Sequence, residues 1–250
     1  MSDLSHRTTV IVGASRGLGR GIVTAFAEAG GPVIAVARSA AQLSALASAA
    51  EGIGVEVADA SDATVPGTLL DRHEPDNLIL VAGASPLMRP LHQHTWETFS
   101  ANWNTDVRIT FHWLREALLK PLPPGSRVIV VSSGAALNGS PLSGGYAGAK
   151  ATQRFITAYA QDEAQRAGLE ITFTAVLPQL TPATELGLTA VRAYAKRAGH
   201  TVEDHLQQFG DPLTPQAAGT ALVELARSDA AALAPAYRLA STGLHELAKA

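Results

Sequence analysis

The sequence predicts a doubly wound α/β domain built on a mostly parallel sheet. Three observations carry this. Short apolar runs recur along the chain, segments of helical period separate them, and a glycine-rich turn joins the first run to the first helix. The runs are Thr8–Val12, Pro32–Ala37, Gly54–Ala58, Asn77–Ala82, Arg127–Ser132 and Glu170–Leu177. Each is nearly continuous in apolar character, the pattern of strands covered on both faces. Between them, Leu43, Leu46, Ala47 and Ala50 form one apolar helical face. Thr95 to Lys120 is a long helix candidate with Thr95 as its N-cap, and Gly145 to Ala167 is another, stopped by Gly168. Strand–helix alternation repeated this often implies a single α/β domain spanning residues 1–250.

Composition bounds the function. The chain has 250 residues, 46% hydrophobic and only 16% charged, which suits a large folded core. A net charge of −3 without a basic stripe argues against nucleic acid and anionic membranes as partners. The absence of cysteine excludes disulfides and thiolate metal sites and fits a reducing, cytoplasmic compartment. The N-terminus has neither the pattern of a signal peptide nor a run of spanning length. After Leu177 the alternation stops, and residues 179–213 form an insertion of short helix candidates between prolines. Such insertions sit over the carboxyl ends of the strands, so this one is expected to be a substrate lid.

In "VIVGASRGLGRG" the spacing Gly13, Gly17, Gly19 places a tight turn between strand and helix. Glycines there let backbone N–H groups approach a pyrophosphate, and the helix dipole favours its charge. A free ribose 2′-hydroxyl is usually read by an acid at the end of the second strand. Here that strand ends in Arg38, and Arg16 lies within the glycine loop. Two guanidiniums fit a 2′-phosphate, which favours NADP(H) over NAD(H). Asp59, past the third strand, is placed to accept from an adenine amino group, with Ala60 beside it.

Tyr146 and Lys150 stand at i and i+4, on one helical face, and Ser133 ends the strand upstream. A phenol on its own gives up its proton near pH 10, and an adjacent ammonium favours the phenolate. Hydride transfer to a carbonyl needs a proton donor at the carbonyl oxygen, and a serine hydroxyl can orient that oxygen.

With these residues in place, the chain resembles the short-chain dehydrogenases/reductases of about 250 residues, over roughly Thr8 to Pro182. The resemblance implies a Rossmann-type fold of about seven parallel strands and hydride exchange between a nicotinamide and a small carbonyl or alcohol. It implies that Tyr146 is the acid/base, that Lys150 activates it and anchors the cofactor ribose, and that Ser133 orients the substrate. It implies that Gly13, Ser15, Arg16, Gly17, Leu18 and Gly19 hold the cofactor phosphates, with Arg38, Asp59 and Ala60 at the adenosine end. Ala82 and Gly83 pack on the cofactor, and Pro178 with Thr181 lies by the nicotinamide carboxamide. The family's helix asparagine has three candidates, Asn102, Asn104 and Asp106. Register counted from Phe111 and Arg115 points to Asp106, and residue type points to Asn104, which is the assignment made here.

The chain departs from the pattern at Val12, Val81 and Gln179, where relatives carry threonine, asparagine and glycine, and its tail lacks a glycine-rich ending. These departures support an alternative, a nucleotide-binding sensor or scaffold without turnover. The two long helix candidates imply a homodimer or homotetramer. His92 and His94 form an H-x-H pair without a nearby third ligand, so no metal is expected. Trp96, Phe99, Trp103 and Trp113 are expected in the core or an interface.

Overall fold

The computed structural model describes residues 3–207 and 211–248. Its eight described strands form one sheet in the order β3-β2-β1-β4-β5-β6-β7-β8. They are β1 (Thr9–Val12), β2 (Val33–Ala37), β3 (Ile53–Val57), β4 (Asn77–Leu80), β5 (Ser126–Val131), β6 (Ile171–Pro178), β7 (Ala236–Ala240) and β8 (Gly243–Leu247). All neighbours pair in parallel except β7 with β8. The six apolar runs are the six strands expected. The sheet has one strand more than the seven expected, because the chain turns back at Gly243, whose φ of +108° suits a glycine, and β8 zips onto β7.

Strand alternation divides the core into two layers. Ile11 of β1 faces one layer and Val10 and Val12 the other. The first layer packs α1 (Gly17–Glu28), α2 (Ala40–Ala47) and α10 (Pro215–Arg227) on the sheet through Ile22, Phe26, Leu43 and Leu222. The second packs α3 (Thr64–His73), α5 (Arg108–Leu119) and α7 (Tyr146–Arg166) through Leu69, Trp113, Leu114 and Ala164. Trp113 is fully buried and donates its indole N–H to the Ala60 carbonyl at 3.2 Å, which ties α5 to the turn after β3.

The long helix expected from Thr95 to Lys120 is interrupted. It is α4 (Trp96–Asn102), then one π turn over Trp103–Val107, then α5. Thr95 caps α4, as expected, through reciprocal bonds with Thr98. The insertion beyond β6 holds α8 (Glu185–Ala198) and α9 (Val202–Gln207), while 208–210 of the expected lid lie outside the described residues. A short α6 (Ala135–Asn138) follows β5. No described helix is long and apolar enough to cross a membrane.

Because β1 lies between β2 and β4, the chain reverses its winding direction beside β1. In open sheets of this kind, ligands bind at the carboxyl ends of the strands where the winding reverses.

Candidate active site

A cleft of about 350 Å³ opens at that point, within the range of roughly 300–1,000 Å³ usual for small-molecule sites. Its floor is the glycine loop. The Gly13 and Ala14 amides donate to the Val36 carbonyl, fastening the loop to β2. Gly13 has φ +93°, and a Cβ there would stand 2.5 Å from the Ala82 nitrogen. A Cβ on Gly19 would stand 2.0 Å from the Gly13 carbonyl oxygen. Gly13 is therefore required by the close approach of the turn to the chain after β4, and Gly19 by the packing of turn against helix. No side chain caps α1, and its first turn holds no acid, so its N-terminal amides face the cleft ready for an anion. This cradle fits the pyrophosphate of a dinucleotide.

The structure brings most of the expected cofactor set to one cleft. Gly13, Ser15, Arg16, Gly17, Leu18 and Gly19 form one wall, Arg38, Asp59 and Ala60 the rim beyond β2 and β3, and Ala82 and Gly83 the wall after β4. Arg38 has no carboxylate within ion-pair distance among the described residues, though Asp59 feels its charge. The Ser61 amide and then its hydroxyl, both donating to Asp59, hold that carboxyl below its usual value. Arg16 is not free: it pairs at 2.8 Å with Glu185 at the start of α8. Both side chains are more than half exposed, so solvent weakens this contact.

Val12 and Val81 stand where polar residues were expected. Their backbone supplies the tie instead: the Val81 and Ala82 amides both donate to the Val12 carbonyl, at 2.8 and 2.9 Å. At this end β1 and β4 are thus joined through the backbone, while at their amino ends the Asn77 side-chain amide donates to the Thr9 hydroxyl at 3.2 Å.

At the inner end of the cleft stand Tyr146 and Lys150, on the first two turns of α7. The Lys150 ammonium lies 5.5 Å from the Tyr146 ring centroid. It also lies 3.1 Å from the Asp106 carboxylate, in an ion pair whose side chains are 6% and 0% exposed. Burial acts to lower the Lys150 pKa, but Asp106 and then Tyr146 outweigh it and hold the ammonium above the usual lysine value. Ser132 anchors this turn of α7 by donating its hydroxyl to the Lys150 carbonyl at 2.7 Å.

The assignment to Asn104 is corrected here. Asn104 is exposed and donates to the Ser100 hydroxyl. Helix geometry supplies the reason: Asn102 and Asp106, four positions apart, share the buried face, and Asn104, two positions from each, is left on the outer face. Asp106 accepts from the Ala84 amide at 2.7 Å, and Asn102 donates to the Ala84 carbonyl and to Asp106. The π turn therefore holds the loop after β4 and Lys150 at once. The Asp106 carbonyl is itself taken by the Thr110 hydroxyl and the Gln153 amide.

Three other expected residues are not on the cleft wall. Ser133 lies two residues past β5, half-buried, and its hydroxyl oxygen accepts from the Ala135 amide at 3.2 Å. Pro178 ends β6, its carbonyl accepting from the Gly134 amide at 2.8 Å, so the two strand ends are stitched side by side. Thr181 is buried and turns its hydroxyl to the Gln179 carbonyl. In its place Thr184, Glu185 and Leu186 border the cleft. Nothing in the local sequence singled out this trio; Thr184 as N-cap of α8 was the available signal. His94 is held between the Arg89 carbonyl and the Thr98 hydroxyl.

The chain resembles several known proteins. It is 31% identical to L-xylulose reductase of Mesocricetus auratus, over 42% of this chain and 43% of that protein, so it spans less than half the length of the curated relative it matches. A short chain dehydrogenase/reductase structure from Burkholderia thailandensis superposes with a TM-score of 0.74 at 24% identity, covering 92% of this chain and 89% of the other. A structure of actinorhodin polyketide ketoreductase with NADPH gives 0.82 at 19% identity, covering 96% and 98%. The short chain dehydrogenase model matches residues 7–193, well over half of the sequence, and the chain belongs to that family.

Proposed function

We propose that this protein is an oxidoreductase that exchanges a hydride between NADP(H) and a small carbonyl or alcohol. The observation that carries the reading is the buried Lys150 beside Tyr146 at the inner end of a cleft floored by an uncapped glycine loop. The nicotinamide supplies or accepts the hydride when bound. In reduction, the Tyr146 hydroxyl gives its proton to the substrate oxygen, and in oxidation the phenolate takes it back. Lys150 holds positive charge at that end of the cleft, where it stabilises the phenolate and meets ribose hydroxyls. The Ser133 oxygen accepts from Ala135, which leaves its hydroxyl hydrogen to donate to the substrate oxygen. The start of α8 is the lid over the glycine loop, with Arg16 and Glu185 as its contact.

Arg38 supports the choice of NADP(H), since it stands on the cleft rim where an acid would select NAD(H). Arg38→Asp is expected to weaken NADPH binding by about tenfold or more while sparing NADH, the cost of one charge-assisted contact with the 2′-phosphate. Fluorescence titration of wild type and variant with both cofactors checks this, and an unchanged NADPH-to-NADH ratio removes Arg38 from the site. The relative named L-xylulose reductase makes small ketoses the first members of a carbonyl panel for NADPH oxidation. If cofactor binds and no carbonyl or alcohol turns over, the sensor reading replaces this one.

The apolar residues Phe111, Phe155 and Tyr159 on α5 and α7 are 53%, 43% and 60% exposed, which supports a homo-oligomer formed through these helices. The double variant Phe111→Glu, Tyr159→Glu is expected to sediment as a monomer where the wild type sediments as a dimer or tetramer. The absence of cysteine supports placing the protein in a reducing cytoplasm.

A further inference from the structure

The edge of the sheet opposite the cleft holds an unexplained group of arginines. Arg127 is the second residue of β5, and its backbone is fixed by the Asp76 carbonyl. Its side chain is buried, the residue being 3% exposed. One guanidinium nitrogen, Nη2, donates to the Ser228 carbonyl at 2.5 Å, but Nε and Nη1 are buried without a partner among the described residues. Buried N–H groups of a charged side chain are nearly always satisfied, so two orphans on one guanidinium mark a missing acceptor.

Arg127 lines an open depression of about 610 Å³ together with Arg7, Arg227 and Asp229. Arg7 precedes β1, donates to the Gly125 carbonyl and lies 3.7 Å from Asp76, which partly compensates it. Arg227 ends α10 and reaches the Ala29 carbonyl at 3.4 Å. Neither Arg127 nor Arg227 has a carboxylate within ion-pair distance among the described residues. Asp229, the lone acid on the rim among the described residues, is engaged with the Ala231 amide. Burial, and next the like charge of Arg7, disfavour the charged form of Arg127 more than Asp229 favours it. The depression therefore holds an excess of positive charge, with the two unpartnered nitrogens of Arg127 buried at its wall.

We propose that this depression is a second ligand site, distinct from the cofactor cleft, that binds a phosphate-type oxyanion between Arg127, Arg227 and Arg7. A tetrahedral phosphate offers enough oxygens to accept from three guanidiniums arriving from different directions, whereas a carboxylate offers two. The ligand is inorganic phosphate or the phosphate of a small phosphorylated metabolite. Residues far apart in the chain, at positions 7, 127 and 227, build the site, so a bound oxyanion would pin the start of β1, the start of β5 and the end of α10 to one another.

The test is calorimetric titration of the full chain with inorganic phosphate and with glycerol 3-phosphate, against chloride at matched ionic strength. The glycine loop also attracts phosphate, so a cleft variant, Arg16→Ala with Arg38→Ala, is titrated in parallel. The expected result is saturable binding by wild type and the cleft variant alike. Arg227→Ala, at a half-exposed helix end, should weaken it by about tenfold or more, the loss of a charge-assisted contact. Arg127→Met should abolish it; if that variant does not fold, Arg7→Ala serves beside Arg227→Ala. Tighter binding of the ester than of phosphate identifies a metabolite, and equal binding identifies the free anion. Binding lost in the cleft variant but kept in Arg227→Ala, or no binding beyond that of chloride, overturns the proposal and leaves Arg127 satisfied by water. None of these readouts depends on hydride transfer.

Discussion

Tyr146→Phe is expected to lower carbonyl turnover by about 10²- to 10⁴-fold, the range for loss of a positioned general acid. The change removes one oxygen and keeps the ring against which the Lys150 ammonium rests 5.5 Å from the centroid. The glycine loop, Arg38 and the Asp106–Lys150 pair are untouched, so NADPH affinity should stay within about threefold, since the binding contacts that set it remain. The measurement is kcat on the best substrate of the carbonyl panel, with cofactor affinity read separately by fluorescence. Turnover near the wild-type level with intact cofactor binding would refute the assigned role. Loss of both would mean that the variant disturbs the fold at the head of α7.

The second large effect is on stability. Asp106→Ala leaves the Lys150 ammonium buried without its counter-ion, and breaking one side of a buried pair typically costs about 3–5 kcal/mol. The variant also loses the acceptor for the Ala84 amide, so the loop carrying Ala82 and Gly83 should loosen. Urea denaturation at neutral pH checks the magnitude, and a loss under about 1 kcal/mol, the worth of a solvated pair, would show that water reaches Lys150.

The pH dependence has a definite sign. The native Lys150 pKa is raised above 10.5, so its contribution to stability is complete below that pH and is lost as pH rises through the native value. Without Asp106, burial, the largest influence on this ammonium, is opposed by Tyr146 alone, so the native pKa falls below the usual lysine value. The variant should then recover part of its deficit as pH rises toward 10.5. Asp106→Asn keeps the side chain's shape and separates charge from packing: a deficit close to that of the alanine variant assigns the loss to charge.

The same residue shows why the site was only partly legible beforehand. Residue type pointed to Asn104 and register to Asp106. Amino-acid identity could not decide, because Asn104 and Asp106 lie on opposite faces of the helix, and which face turns inward depends on what packs against it. Asp106 is held by Ala84, Lys150 and Asn102, two of which belong to other elements. Tertiary packing therefore selected the inward face, and the face selected the residue. Ser133 and Thr181 show a milder form of this: the strand ends were located, but the directions of their hydroxyls depend on which carbonyl or amide lies nearest.

What the sequence determined by itself was whatever depends on neighbours within a few positions. The apolar runs became strands, and all but the edge strand β3 are buried on both faces. Gly13, Gly17 and Gly19 specified a turn that few other residues can make. Tyr146 and Lys150 share a face because a helix repeats every 3.6 residues. Contacts between distant segments were decided only by the folded structure. Glu185 meets Arg16 across 169 positions, β8 reverses to pair with β7, and three arginines at the amino edge converge with no motif to announce them. The physical reason is that local geometry is set by each residue's own steric and hydrogen-bonding preferences. Long-range contacts are set by how the packed layers place side chains that local preference leaves undirected.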